Sequence, residues 1–162
     1  MSPVDHAILP RKANILGVGV SVTDYAEVVR CVIEAGAAQR PLLVNACSVH
    51  NLIEAIDDPS LAAALNRFDI VAPDGQPVRW GLNWTRQAQL TERVYGPTLT
   101  LHVCEAAARE GLPIYLYGSR QHTLDKLSER LHARFPSLAI AGMRAGRFRA
   151  LTREEAEADA AA

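Results

Sequence analysis

The sequence predicts an α/β protein in which a parallel sheet is flanked by helices, and three observations predict it. Short runs of β-branched and apolar residues alternate with stretches whose apolar positions recur at helical spacing. At least one of the short runs is too apolar to have a solvated face, as a strand covered on both sides must be. The chain has 162 residues, 49% of them apolar, which is material for about one ordinary domain with a single core.

The elements follow in order. Asn14-Ile15-Leu16-Gly17-Val18-Gly19-Val20 reads as a first strand, and Ser21-Val22-Thr23-Asp24 offers caps for a helix bearing Val28, Val29, Val32 and Ile33, with Gly36 as its stop. Leu42-Leu43-Val44-Asn45-Ala46 reads as a central parallel strand leading into a helix with Leu52, Ile53 and Ile56. Asp57-Asp58-Pro59 breaks that helix and restarts another through Leu61 and Leu65. Asp69-Ile70-Val71-Ala72 is a third strand, followed by Pro73-Asp74-Gly75-Gln76-Pro77 and a helix through Val78, Leu82 and Trp84. Gly96-Pro97-Thr98 opens a helix that carries Leu101, Val103, Cys104 and Ala107 to a stop at Gly111. The strand Pro113 to Tyr117 comes next, then a helix capped by Gly118-Ser119 with Leu124, Leu127 and Leu131, ending near Phe135-Pro136. Leu138 to Ala141 is the last strand. Leu151 to Ala162 reads as a helix opening at Thr152-Arg153-Glu154-Glu155, a capping-box pattern, with no strand after it, so the sheet is expected to be incomplete at its C-terminal end. This alternation implies a Rossmann-like sheet with right-handed crossovers, spanning residues 1–162 as one domain.

Composition narrows the function. Seventeen Lys and Arg against 18 Asp and Glu leave a net charge of −1, so no long-range field draws nucleic acid or an anionic membrane. The longest apolar stretches, such as Ile15 to Val20, are far short of the roughly 20 residues of a membrane span. Met1-Ser2-Pro3-Val4-Asp5-His6 lacks the cationic start and apolar run of a signal peptide, so a cytoplasmic location is expected. Cys31, Cys47 and Cys104 are few and far apart and read as buried thiols.

In open α/β sheets ligands bind outside the carboxyl ends of the strands. That rule points to five segments expected to share one rim: Gly17 to Thr23, Asn45 to His50, Pro73 to Gln76, Gly118 to His122 and Gly142 to Phe148. Gly17-Val18-Gly19 begins like a dinucleotide fingerprint, but Val22 stands at the third glycine position and no acidic residue ends a second strand about twenty residues on. A tight strand exit explains these glycines better. Asp74, between Pro73 and Gly75, is either a base able to take a proton from a hydroxyl or an ordinary turn and N-cap residue. Asn45 either orients a sugar hydroxyl or satisfies loop backbone, and His50 reads as a solvated histidine. Free N–H groups at Gly118-Ser119 suit a phosphate, as do those at any strand-to-helix joint. Arg93 and Arg147 either bridge a diphosphate or make surface pairs. No Asp-x-Asp pattern of a metal-dependent nucleotide-sugar site occurs; Glu157-Ala158-Asp159 lies in the terminal helix.

Taken together, Leu42-Leu43-Val44-Asn45-Ala46, Val71-Ala72-Pro73-Asp74-Gly75, Glu92-Arg93-Val94-Tyr95-Gly96, Ile114-Tyr115-Leu116-Tyr117-Gly118 and Phe135-Pro136 through Gly142 to Gly146-Arg147-Phe148 resemble the WecG/TagA/CpsF family of bacterial glycosyltransferases over about residues 15–148. The resemblance implies an inverting enzyme that moves N-acetylmannosamine, its uronic acid or glucose from a UDP-sugar to a polyprenyl-diphosphate-linked acceptor, at the inner face of the plasma membrane, for envelope or exopolysaccharide. It implies Asp74 as the catalytic base. It places Asn45, Arg93 and Gly96 in the family's motifs. Together with the residues weighed above, the expected substrate-binding set is Asn45, Gly75, Gln76, Arg93, Gly96, Gly118, Ser119 and Arg147, and the missing Asp-x-Asp pattern makes a metal-independent mechanism expected. Leu43 stands where the family usually has a threonine, and the family's Pro-Lys-Gln-Glu-like segment and basic C-terminal appendage, an aid to membrane docking, have no counterpart here. Open sheet edges then make self-association expected. The rival readings are a nucleotide-binding oxidoreductase on the same sheet and a truncated, non-catalytic nucleotide-binding fragment.

Overall fold

The computed structural model describes residues 9–86, 88–149 and 151–160, with the side chains of residues 86, 159 and 160 left aside. The readings of the N-terminal six residues and of Ala161-Ala162 lie outside the described residues. The chain forms two compact units, residues 1–106 and 107–162. The fold is α/β, with short parallel strand pairs and flanking helices, as the sequence predicts.

The first unit opens with a correction. The run 14–20 is not one strand but a hairpin, β1 (Lys12–Ile15) against β2 (Val18–Ser21), antiparallel, with Ile15 opposite Val18. Leu16 and Gly17 form its two-residue turn with φ of 53° and 89°, the doubly positive geometry whose twist matches that of the strands. Asn66 locks it, accepting from the Gly19 N–H at 2.8 Å and donating to the Gly17 carbonyl at 3.0 Å. Gly17 therefore belongs to a hairpin and not to a strand exit, which removes both the dinucleotide-fingerprint reading and Gly17's expected place on the rim.

Helix α1 (Tyr25–Ala37) starts at Asp24, whose carboxylate accepts from the Glu27 N–H. It runs past Gly36 to Ala37, and Gln39 beyond its cap turns left-handed at φ 50°, with the Arg40 N–H returning to the Ala35 carbonyl. Strand β3 (Val44–Cys47) pairs in parallel with β4 (Ile70–Pro73). Between them lie α2 (Val49–Asp57) and α3 (Pro59–Asn66), and Asp58 ends the first and caps the second. Helices α4 (Gln76–Arg86) and α5 (Gly96–Glu110) follow.

The buried centre is β4, not β3. All four β4 residues are buried, whereas β3 is buried only at Cys47, and Leu43 just before it is half exposed. Alternation explains why β4 is apolar throughout. Val71 joins Val18, Val20, Leu52, Leu65, Val78 and Leu82 in one cluster, while Ile70 and Ala72 join Val28, Cys31, Val94 and Leu99 in another. Helices thus cover both faces of β4, and each fully buried Val, Leu or Ile contributes about 1.5–3 kcal/mol. β2 lies beside β4, and the Ser21 hydroxyl accepts from the Val71 N–H at 3.1 Å inside the core. Of the apolar residues predicted for α2, Leu52 is buried but Ile53 and Ile56 are half exposed. Trp84 of α4, read as part of an apolar face, is 89% exposed.

In the second unit β5 (Ile114–Tyr117) pairs in parallel with β6 (Ile140–Arg144), which starts two residues later than the sequence suggests. Helix α6 (Gln121–Arg134) runs between them and buries Leu124 and Leu131. It begins after Arg120, not at Gly118-Ser119, because those two residues turn with φ of 102° and 57°. Helix α7 (Arg153–Ala160) opens with the predicted capping box. The Thr152 hydroxyl accepts from the Glu155 N–H and the Glu155 carboxylate accepts from the Thr152 N–H.

Candidate active site

The exit of β4 is built from backbone first. The Asp74 N–H is shared between the carbonyls of Cys47 (3.0 Å) and Ala72 (2.9 Å), so the ladder with β3 continues one residue past Pro73 before the chain turns. Gly75 makes the turn at φ 116°, where an L side chain is strained, and α4 follows at once. This leaves Asp74 partly exposed at the strand end. Its Oδ2 accepts from the Gly96 N–H at 3.2 Å, 22 residues along the chain. Among the described residues that is its one hydrogen-bond donor, so the carboxylate keeps acceptor capacity and is not consumed by its own bend.

Gly96 can come this close because it has no side chain. A Cβ there would stand 3.2 Å from the Ala46 Cβ and 3.5 Å from Asp74 Oδ2. The approach is fixed by three consecutive amides. Val94 N–H donates to the Pro73 carbonyl at 2.9 Å, Tyr95 N–H to the Tyr25 hydroxyl at 2.8 Å, and Gly96 N–H to Asp74. Val94 is fully buried, which anchors the middle of the Glu92-Arg93-Val94-Tyr95-Gly96 motif in the core. Arg93 lies with its guanidinium 4.6 Å from the centroid of the Tyr95 ring, and among the described residues it has no carboxylate partner.

Asn45, on β3 opposite Val71, has a buried Oδ1 with no hydrogen-bond partner among the described residues. A buried amide oxygen left unpaired is costly, and one that persists in a fold calls for an explanation. Cys47 sits directly behind Asp74. Burial first, and the Asp74 charge second, push its thiol up to about 11. Gln76 is exposed on the first turn of α4. His50 is also exposed and pairs with Glu54 at 3.3 Å, the solvated role expected for it.

The remaining sequence-predicted site residues belong to the second unit, and their geometry departs from the expected phosphate cradle. The Gly118 N–H donates to the Arg144 carbonyl and the Ser119 carbonyl accepts from the Gly146 N–H, both at 2.9 Å. Gly118 and Ser119 thus extend the pairing of β5 with the continuation of β6, and the Gly118 amide is not a free helix-terminal donor. Arg147 pairs with Glu155, which also receives both terminal nitrogens of Arg149. Led by the Arg149 hydrogen bonds, these contacts hold the Glu155 carboxyl down at about 2. Among these partners the capping role of Glu155 was visible in its spacing from Thr152. Its pairing with two arginines was not, because it depends on how the 145–151 segment folds back.

A model of the glycosyl transferase WecG/TagA/CpsF family matches residues 13–162, nearly the whole chain. The chain belongs to the WecG/TagA/CpsF family. It is therefore a glycosyl transferase of the kind that builds polysaccharide. No curated protein matches it. In this WecG/TagA/CpsF chain, no group of three or more His, Cys, Asp and Glu among the described residues could hold a metal ion. No described helix is long and apolar enough to cross a membrane.

Proposed function

We propose that the first unit carries the catalytic centre of an inverting transferase, which moves a sugar of the N-acetylmannosamine, N-acetylmannosaminuronic acid or glucose type from UDP to a polyprenyl-diphosphate-linked acceptor. The observation that supports it most is the Asp74 carboxylate at the exit of β4, partly exposed and oriented by a backbone amide from a distant segment. Asp74 takes the proton of the acceptor hydroxyl as that oxygen bonds to the anomeric carbon. The carbon–oxygen bond to UDP breaks in the same step, and the electron pair leaves with the diphosphate.

Arg93, resting on Tyr95 without a carboxylate partner, is placed to answer the charge that develops on the departing diphosphate. Asn45 Oδ1 would accept from a sugar hydroxyl, which resolves its buried and unpaired state. Gly75 and Gln76 form the rest of the wall at the turn. The leaving group is neutralised by arginine, with no metal cofactor in the scheme, and the acceptor places the reaction at the cytoplasmic membrane face. In the second unit, the Arg147 guanidinium can meet an anion only by giving up its pair with Glu155.

The test is turnover of UDP-N-acetylmannosamine, UDP-N-acetylmannosaminuronic acid and UDP-glucose with a polyprenyl-diphosphate-linked sugar. Asp74→Asn should lower turnover about a hundred- to ten-thousandfold and leave the unfolding midpoint near that of the parent. Unchanged turnover removes Asp74 from the role of base.

A further inference from the structure

The segment that delivers Gly96 to Asp74 is held at its other end by α4. Arg79 Nη1 donates to the carbonyls of Leu90 (3.0 Å) and Thr91 (2.8 Å). Asn83 clasps Leu90 from both sides. Its Nδ2 donates to the Leu90 carbonyl and its Oδ1 accepts from the Leu90 N–H, each at 2.8 Å. This is the pairing a neighbouring strand would offer, supplied by one side chain. Because α4 starts two residues after Asp74, the chain from Asp74 through α4 and back to Gly96 is a closed circuit whose ends meet at the carboxylate.

The cost of the anchor argues that it does more than tidy a loop. Arg79 Nε is buried and has no hydrogen-bond partner among the described residues, an expense that a loop free to take any path would not require. Leu90 packs against the core cluster that includes Val78 and Leu82, so the clasp is seated on rigid structure. Five residues separate Leu90 from Gly96, and the amides of Val94, Tyr95 and Gly96 all have partners.

We infer that Arg79 and Asn83 are positioning residues for the base: by fixing Leu90 and Thr91 they set the path of segment 90–96, so that the Gly96 N–H meets Asp74 Oδ2 and holds the carboxylate in its reactive orientation. This rests on the reading of Asp74 as the base. In the proposed scheme neither residue contacts the substrate, and Arg93 on the same segment answers charge that develops only as the diphosphate departs, so their loss should slow the chemical step more than it weakens donor binding.

Asn83→Ala and Arg79→Ala test it through kcat and KM with the three UDP-sugars and the lipid-linked acceptor, and through amide hydrogen exchange at Gly96 followed by NMR. A slackened segment should lower kcat about ten- to a hundredfold, as small misplacements of catalytic groups do, with donor KM changed by no more than about twofold. The Gly96 amide should exchange about tenfold faster or more, while the amides of Val71 and Ala72 keep their protection. Guanidinium added to Arg79→Ala should restore part of kcat. Parental kcat in folded Asn83→Ala, an unchanged Gly96 amide, or protection lost throughout β4 would each overturn the inference. Should Asn83→Ala fail to fold, Asn83→Asp, which keeps the acceptor for the Leu90 N–H, is judged by the same criteria. A parent chain without transferase activity would defeat the proposed function alone, since the exchange at Gly96 needs no turnover and still decides whether α4 sets the segment.

Discussion

At Asp74 two requirements meet in one short stretch, a strand that must end and a carboxylate that must stay accessible. Gly75 reconciles them, because φ of 116° turns the chain away from the sheet within a single residue. Nothing crowds its missing side chain except the ring of Pro77 at 3.8 Å, so the need for glycine there is conformational and not steric. Gly75→Ala should therefore destabilise the fold by about 1–3 kcal/mol, measured by denaturant unfolding. Gly96 presents the opposite case. It has no positive φ, and the close approach of Ala46 is what a side chain there would have to push back by a few tenths of an ångström. Asp74 was legible in the sequence because Pro-Asp-Gly after an apolar run marks a strand exit. Its partner was not, since a hydrogen bond across 22 residues has no local signature. Arg93 and Arg147 looked alike in the sequence, each either a bridge to a diphosphate or one side of a surface pair. In the fold one rests on an aromatic ring, while the other is claimed by Glu155.

Among the elements, the alternation of strands and helices was readable almost throughout, and the departures have particular causes. The β1–β2 hairpin hid behind Leu16, because a turn with two positive φ values ordinarily advertises itself as Asn-Gly or Asp-Gly. Strand β3 looked as apolar as β4, yet β4 is buried along its whole length and β3 only at Cys47, a distinction that belongs to packing order and not to composition. The start of α6 was misplaced because Gly118-Ser119 resembles a cap but spends its geometry on the turn. Helix α7 was read correctly at its N-terminus, and it carries a pH dependence. The Glu155 carboxyl titrates at about 2 in the fold, below its ordinary value of 4.5, so the unfolded state binds the proton more readily. Its contribution to holding α7 on Arg147 and Arg149 is complete above about pH 4.5 and is lost as the pH falls toward about 2. The Thr152 and Glu155 amide resonances should report this loss, and added salt should weaken the attachment because the carboxylate is only partly buried. Glu155→Gln should abolish the transition.

For the molecule as a whole, the two tryptophans give a direct reading of what covers the surface. Trp80 and Trp84 lie one helical turn apart on α4, exposed by 57% and 89%, on the side opposite the buried Val78 and Leu82. In the isolated chain their fluorescence should resemble that of the unfolded protein and be quenched freely by acrylamide. Blue-shifted, protected emission that reverts on dilution would show that a second copy sits on α4. Another whole-molecule consequence comes from the circuit that leaves Asp74 and returns at Gly96. Its contour length is effectively fixed by what it must span, so an insertion or deletion between these two positions would register at the reacting carboxylate. One of equal size at the exposed joint near Asp57-Asp58, where one helix hands over to the next, would be absorbed at the surface. Natural variants of this chain should accordingly keep a constant spacing from the Pro-Asp-Gly turn to the glycine that ends the Glu-Arg-Val motif, and scatter their length changes elsewhere.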